Sequence, residues 1–233
     1  MVSVLLCTID RYDITTQCVG PSLACCGEEY ELLCVDNGSS DRRVVDYIQT
    51  LKPVYHSLNK VNEGYAKMMN QMLLRAEGEF LCVIDNDILL PEDWLMYLVR
   101  ANKAIPESGV SGIHCLGEIP LTEVRNGVSI CPLQHPLGIK FFSRRLLNRI
   151  GYFDEEFNPY GHEDIAYHLR AQCAGCINYY VRLGAKHMGE VGSVSPEYDE
   201  MKRASAERGH ALLQMRAGKA YNGQVYTPAP QLK

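Results

Sequence analysis

Asp85-Asn86-Asp87 follows an apolar, strand-like run at residues 79–84 and precedes a second apolar pair, Leu89-Leu90. Two carboxylates at i and i+2 of an extended chain point to the same side, so both face one mouth. Carboxylate oxygens are hard ligands that suit Mn²⁺ or Mg²⁺, ions usually held by one or two carboxylates together with substrate phosphates. A strand-end turn also gathers Asp and Asn for backbone reasons alone, so the triplet needs support from elsewhere. A second acidic pair, Glu163-Asp164, opens a helical pattern. It is placed either to move a proton or simply to complement a helix dipole. Asp36-Asn37-Gly38-Ser39 is a strong turn former that also closes a strand. His187, after Gly184-Ala185-Lys186, and His162, beside the acidic pair, are the imidazoles placed to serve a site.

Three apolar runs each lead into a polar cluster: residues 2–7 into Thr8-Ile9-Asp10-Arg11, residues 30–35 into the Asp36 turn, and residues 79–84 into Asp85-Asn86-Asp87. Short continuous apolar runs fit strands buried on both faces of a parallel sheet. Helical spacing occurs over residues 41–50 and over residues 63–76, the latter ended by Gly78, and Pro91 marks the first turn of a further helix. Shorter helices are expected at 143–150 and 163–172, and a strand at Ile177–Val181. Residues 109–140 mix Gly, Pro and short apolar runs and are expected to add strands. Strands alternating with helices define an α/β sheet whose ligands sit beyond the carboxyl ends of the strands. All three polar clusters fall there. The sequence predicts one domain over 1–192, with a polar helix at 197–216 and a tail within 193–233.

The composition is that of a globular chain of 233 residues, 46% hydrophobic and 22% charged. A net charge of -5 supplies no general attraction to nucleic acid or acidic membranes. No run reaches the ~18 to 20 apolar residues that span a bilayer, and Met1 leads directly into a strand-like run instead of a signal segment. A cytoplasmic location is the expectation, with peripheral membrane contact left open. Cys7, Cys34 and Cys82 lie inside apolar runs, and Cys173-x-x-Cys176 has no second pair at zinc spacing, so the ten cysteines read as reduced structural thiols.

The segment from Asn59 through Asn62-Glu63-Gly64-Tyr65 to Asn70, then Gly78-Glu79-Phe80, then Asp85-Asn86-Asp87, resembles the core of family 2 glycosyltransferases of the GT-A fold. Val35 to Asp41 is similar to the family's second strand-end signature. Gly151-Tyr152-Phe153-Asp154 followed by Gly161-His162-Glu163-Asp164, with Arg170 in the helix that follows, is similar to its acceptor-side motif. The blocks cover roughly residues 2 to 190 in the family's order. The resemblance implies a mostly parallel sheet flanked by helices and transfer of a sugar from a nucleotide diphosphate, with UDP-sugar as the expected donor. It implies that Thr8 and Asp36 contact the base and Asp85 the ribose. Asn62, Gly64 and Asn86 complete the donor site, and Asp87 and His187 hold Mn²⁺ or Mg²⁺. Asp164 is then the general base toward an acceptor hydroxyl, with Glu163 orienting that hydroxyl and inversion the expected outcome. Two departures stand out: Cys7 replaces the usual proline of the first loop, and Asn37 replaces a second carboxylate.

Two other readings use the same residues. A nucleotidyltransferase acting on a sugar phosphate also needs acidic metal ligands, but it wants a glycine in the first loop, where Cys7-Thr8-Ile9-Asp10-Arg11 has none. A non-catalytic sugar-nucleotide module would have no need for both Asp87 and Asp164. The acceptor is a saccharide, a lipid-linked glycan or another hydroxyl. The basic stretch from Lys202 to Lys233 reads as a solvated face, the alternative being a patch for a phosphorylated or nucleic-acid acceptor.

Overall fold

The computed structural model describes residues 1–113, 122–132, 138–189 and 195–217. Strand β1 (Val2–Thr8) is at the centre of the fold and buried along nearly its whole length. Alternate side chains leave a strand on opposite faces. Val2, Val4 and Leu6 accordingly share one apolar cluster with Val19, Trp94 and Leu98, and Leu5 shares the other with Met69, Met72 and Leu81. A helix layer on each face explains why the run is apolar without alternation.

Around β1 pair β2 (Tyr30–Asp36), β3 (Tyr55–Leu58) and β4 (Phe80–Ile84), all parallel. The sheet continues through the antiparallel β9 (Lys140–Ser143) to β6 (Ser108–Ile113) and β10 (Ile177–Val181). Strands β8 (Val128–Pro132) and β7 (Glu123–Arg125) form its far edge. A separate ribbon joins β5 (Ile88–Leu89) to β11 (Lys186–His187). Helices α1 (Tyr12–Ala24), α2 (Arg42–Thr50) and α4 (Trp94–Ala104) cover one face. Helices α3 (Tyr65–Leu73), α5 (Arg144–Ile150) and α6 (Glu163–Cys173) cover the other. The expected α/β sheet, mostly parallel and flanked by helices, is present.

Several elements differ from the sequence reading. Helix α1 has no counterpart in the sequence pattern, because Gly20-Pro21 and its hydroxyl residues obscure the apolar face formed by Cys18, Val19 and Leu23. Edge strand β3 is short and only partly buried, so it leaves no apolar run. Helix α3 is shorter than residues 63–76 at both ends. Helix α4 begins at Trp94, later than Pro91, because Asp93 takes a left-handed conformation at φ 58° and gives its backbone N–H to Cys25 O at 2.7 Å. The nine cysteines among the described residues are free thiols, Cys173 and Cys176 included. Residues 114–121 and 133–137 of the irregular stretch, the 192/193 boundary and the tail at 221–233 lie outside the described residues. Among the described residues, no helix is long and apolar enough to cross a membrane.

Helix α7 (Pro196–Ala217) is docked on the acceptor-side motif. Leu212 and Leu213 pack against Phe157 and Ala166, and Arg216 pairs with Asp154 and Glu156. Arg208 donates to Asn158 O. Part of the expected basic face is thus used to fasten this helix.

The motif beneath α7 is itself tied to α3 by a fully buried side chain, Asn70. Its amide accepts from Phe153 N at 2.9 Å and donates to Phe153 O at 2.8 Å and to Glu155 Oε1 at 2.9 Å. Truncating one partner leaves buried backbone groups unpaired, each worth about 1–3 kcal/mol. Asn70→Ala is therefore expected to lower unfolding stability by about 2–4 kcal/mol in urea denaturation. Lys67→Ala, on the exposed side of the same helix, should stay within about 0.5 kcal/mol.

Candidate active site

A cleft of about 490 Å³ opens beyond the carboxyl ends of β1, β2 and β4, walled by Thr8, Asn37 and Asp85 among others. The parallel register places Thr8 beside Asp36. Asp36 is only 2% exposed, and its oxygens accept from Ser39 N at 2.9 Å, from the Ser39 hydroxyl, and from Thr8 Oγ1 at 3.2 Å. Its carboxylate thus braces its own loop, while Asn37 lines the cleft. Asn37 in turn donates to Asn62 Oδ1 at 2.8 Å, which also accepts from Gly64 N at 2.9 Å. Gly64 caps α3 at φ 94°, with Asn158 only 2.4 Å from where a Cβ would stand. Left-handed φ and the lack of space both demand glycine there. Asn86 lines the cleft but uses its amide to donate to Thr15 Oγ1 at 2.9 Å, fastening the acidic loop to α1.

Asp87 is where distant segments converge. The β5–β11 ribbon sets His187 opposite Ile88, and Met188 N donates to Asp87 O at 2.7 Å. His187 Nε2 then lies 3.7 Å from Asp87 Oδ2. Arg11 Nη1 reaches the same oxygen at 3.1 Å while its Nη2 donates to Gly189 O at 3.2 Å. A Cβ on Gly189 would fall 2.4 Å from Asp87 Oδ2 and 2.7 Å from the His187 ring, so only glycine leaves that corner open. A carboxylate and an imidazole facing one another beside a side-chain-free corner fit a divalent cation of the Mn²⁺ type. Among the described residues no three His, Cys, Asp or Glu side chains group into a complete protein cage. A two-ligand site of this kind matches ions that take the remaining oxygens from a substrate phosphate.

Asp85 belongs to a second constellation, which sequence reasoning missed. Tyr65 donates its hydroxyl to Asp85 Oδ1 at 2.9 Å, and Lys140 Nζ stands 4.0 Å from that oxygen. Lys140 is 3% exposed and donates also to Gly138 O at 3.0 Å. Burial opposes its charge, but Asp85, Asp164 and Glu163 together hold the ammonium above its usual range. Burial likewise raises Asp85, with Lys140 opposing and Asp87 adding to the shift. A lysine inside the apolar run Ile139-Lys140-Phe141-Phe142 was the available signal, since lysine is almost never buried without a partner.

Glu163 and Asp164 form the first turn of α6, after His162 in a left-handed conformation at φ 70°. Neither is among the residues lining the cleft; Pro159 and Tyr160 form that side. Glu163 is buried and its carboxyl is pushed up to about 7, first by burial and then by Asp164, with Lys140 pulling it back. Asp164 is half-buried and accepts from Ile165 N at 2.7 Å. Helix α7 adds Tyr198, Asp199 and Lys202 to the lining, residues that no short motif marks.

The description "Glycosyl transferase family 2" belongs to a family whose model matches residues 3–157, more than half of the chain. The chain belongs to that family. Over 226 residues it is 23% identical to the chondroitin synthase of Pasteurella multocida, an alignment covering 76% of this chain and 23% of that protein. The chain spans about a fifth of the length of the curated relatives it matches. Among solved structures, GalNAc-T7 with UDP, GalNAc and Mn²⁺ superposes at a TM-score of 0.72 with 14% identity, over 95% of this chain and 48% of that one. The mannosyltransferase PcManGT of Pyrobaculum calidifontis, with GDP-Man and Mn²⁺, gives a TM-score of 0.61 and 17% identity over 94% and 75%. These likenesses establish the GT-A fold.

The buried ammonium makes a pH-dependent prediction. A carboxyl whose folded value is raised binds its proton more tightly when folded, so its stabilisation is present at acid pH and lost as pH rises through that value. For Glu163 the loss runs from the ordinary range near 4.5 up to about 7. Removing Lys140 takes away the charge that limits this loss. Lys140→Met is expected to be mildly destabilising at pH 5 and worse by about 2 kcal/mol or more at pH 8, read from paired denaturant titrations. An equal effect at both pH values would show that Lys140 does not carry the electrostatic balance.

Proposed function

We propose that the protein transfers a sugar from a nucleotide diphosphate donor, expected to be a UDP-sugar, to an acceptor hydroxyl with inversion, using a divalent cation. The observation that carries this reading is the facing of Asp87 and His187 beside the open corner at Gly189. Mn²⁺ accompanies a nucleotide or nucleotide sugar in both of the solved relatives above, which supports the same use here. Asp87 and His187 would hold the cation, and bound there it would offset charge developing on the leaving diphosphate.

This chain's own residues supply the remainder. Thr8, Asp36, Asn37 and the Asn62–Gly64 turn shape the floor where the nucleoside rests. Asp85, kept in place by Tyr65 and Lys140, faces the ribose from the strand end. Asp164 accepts the proton of the acceptor hydroxyl, and Glu163, whose carboxyl holds its own proton below about pH 7, orients that hydroxyl by donating to it or to Asp164. A single base acting on the sugar face opposite the diphosphate leads to inversion. The acceptor in this reading is a hydroxyl of a saccharide, of a lipid-linked glycan or of another molecule.

Binding to the folded state raises stability by mass action, so the donor can be found before the acceptor is known. Melting temperature measured against UDP and GDP, each with and without Mn²⁺, is expected to rise with one nucleotide in a Mn²⁺-dependent way, and Asp87→Ala should abolish the rise. A flat response to every combination would sink the donor site. Asp164→Asn should keep the nucleotide-dependent rise while turnover falls by about 10²- to 10⁴-fold. Wild-type turnover in that variant would remove Asp164 from the role of base.

A further inference from the structure

Helix α7 brings a cation to the cleft whose placement calls for an anion. Lys202 Nζ lies 4.3 Å from the centre of the Tyr160 ring and 5.7 Å from that of Tyr198. Tyr198 precedes it by one turn on the same helix, while Tyr160 comes from the acceptor-side loop, and all three line the cleft. Ring faces attract the ammonium without using its N–H donors in conventional hydrogen bonds, so those donors stay available. Among the described residues no carboxylate lies within ion-pair distance of Lys202, whereas the other cation of the lining, Arg11, is joined to Asp87. The same cleft is lined by Asp85, Asp87 and Asp199. A ligand with several negative charges therefore enters an acidic cleft in which Lys202 is the unmatched positive group.

We propose that Lys202, held between Tyr160 and Tyr198 at the lip of the cleft, binds the diphosphate of the nucleotide donor; the assignment rests on the donor reading above. Lysine acts on phosphate as a mobile point charge, and the two tyrosines restrict where that charge can stand. Tyr198 is near enough to Cys7 and Arg11 to be influenced by them, and Tyr160 to Glu163 and Asp85. The ammonium thus sits between the Asp87 side of the cleft and the acidic pair of α6, where a diphosphate attached to a sugar must lie.

The test compares wild type, Lys202→Met and Lys202→Arg by calorimetric titration with UDP and with uridine, in the presence of Mn²⁺. Met keeps the stem over the rings and removes only the charge. Lys202→Met is expected to weaken UDP by about tenfold and leave uridine unchanged, with the unliganded melting temperature lowered by only about 1–4 °C for the lost ring attraction. Lys202→Arg should recover most of the loss. Unchanged UDP affinity in Lys202→Met overturns the proposal and leaves the donor reading intact. An equal weakening of UDP and uridine also overturns it, because the effect would then lie in the shape of the cleft. Should wild type bind neither UDP nor GDP, the donor reading falls and this assignment with it.

Discussion

One buried ammonium governs the geometry of the acidic half of the molecule. Lys140 comes from β9, the antiparallel strand inserted between β4 and β6, and it ends 4.0 Å from Asp85 at the tip of β4. Its charge is also favoured by Glu163 and Asp164 on α6. Three carboxylates from two separate elements share one nearly dehydrated cation. Without it they would repel one another in a region of weak screening. The sheet order is what permits this, because β9 lies between the strand carrying Asp85 and the strands that support α6.

The other half is organised by hydrogen bonds between amides. Asn37, Asn59 and Asn62 close the loop after β2, and Asn70 links α3 to the backbone of Phe153. Several asparagines of the family-like blocks thus act as internal fasteners. This separates two roles that a motif presents together. Asp87 and His187 face one another and line the cleft, with Arg11 on the same Asp87 oxygen, whereas Asp36 and Asn86 direct their polar atoms toward Ser39 and Thr15.

How much of this was legible depended on where the signal was carried. Strands β1, β2 and β4 announced themselves because both faces are buried, and their carboxyl ends located the cleft. Helix α1 remained hidden because Gly20-Pro21 and threonines interrupt its apolar stripe, although packing against the sheet overrides their propensity. Lys140 could be noticed as a charge in an apolar run, but nothing in the sequence tells which carboxylates it meets. Likewise the helix at α7 was visible, whereas its docking on the Asp154–Phe157 turn depends on Arg216 meeting acidic groups about sixty residues earlier. Contacts of that range are set by topology, which single-residue patterns do not encode.

The two-residue ribbon between β5 and β11 gives the cleft the mechanics of a vice. Asp87 belongs to the fixed jaw, since it stands three residues beyond the end of β4, a strand bonded on both sides within the central sheet. His187 belongs to the sliding jaw, attached by the pairing of Lys186 and His187 with Leu89 and Ile88, by the Met188 bond to Asp87 O and by Arg11, which donates to Gly189 O. The long span between the jaws is already closed by the sheet, so little additional loop entropy opposes their meeting. Ordering the short segment 186–189 is what remains, and a ligand that grips both jaws supplies the tightening. On the proposed function, the affinity of this corner for a cation is therefore set as much by the stiffness of β11 as by the chemistry of the two side chains.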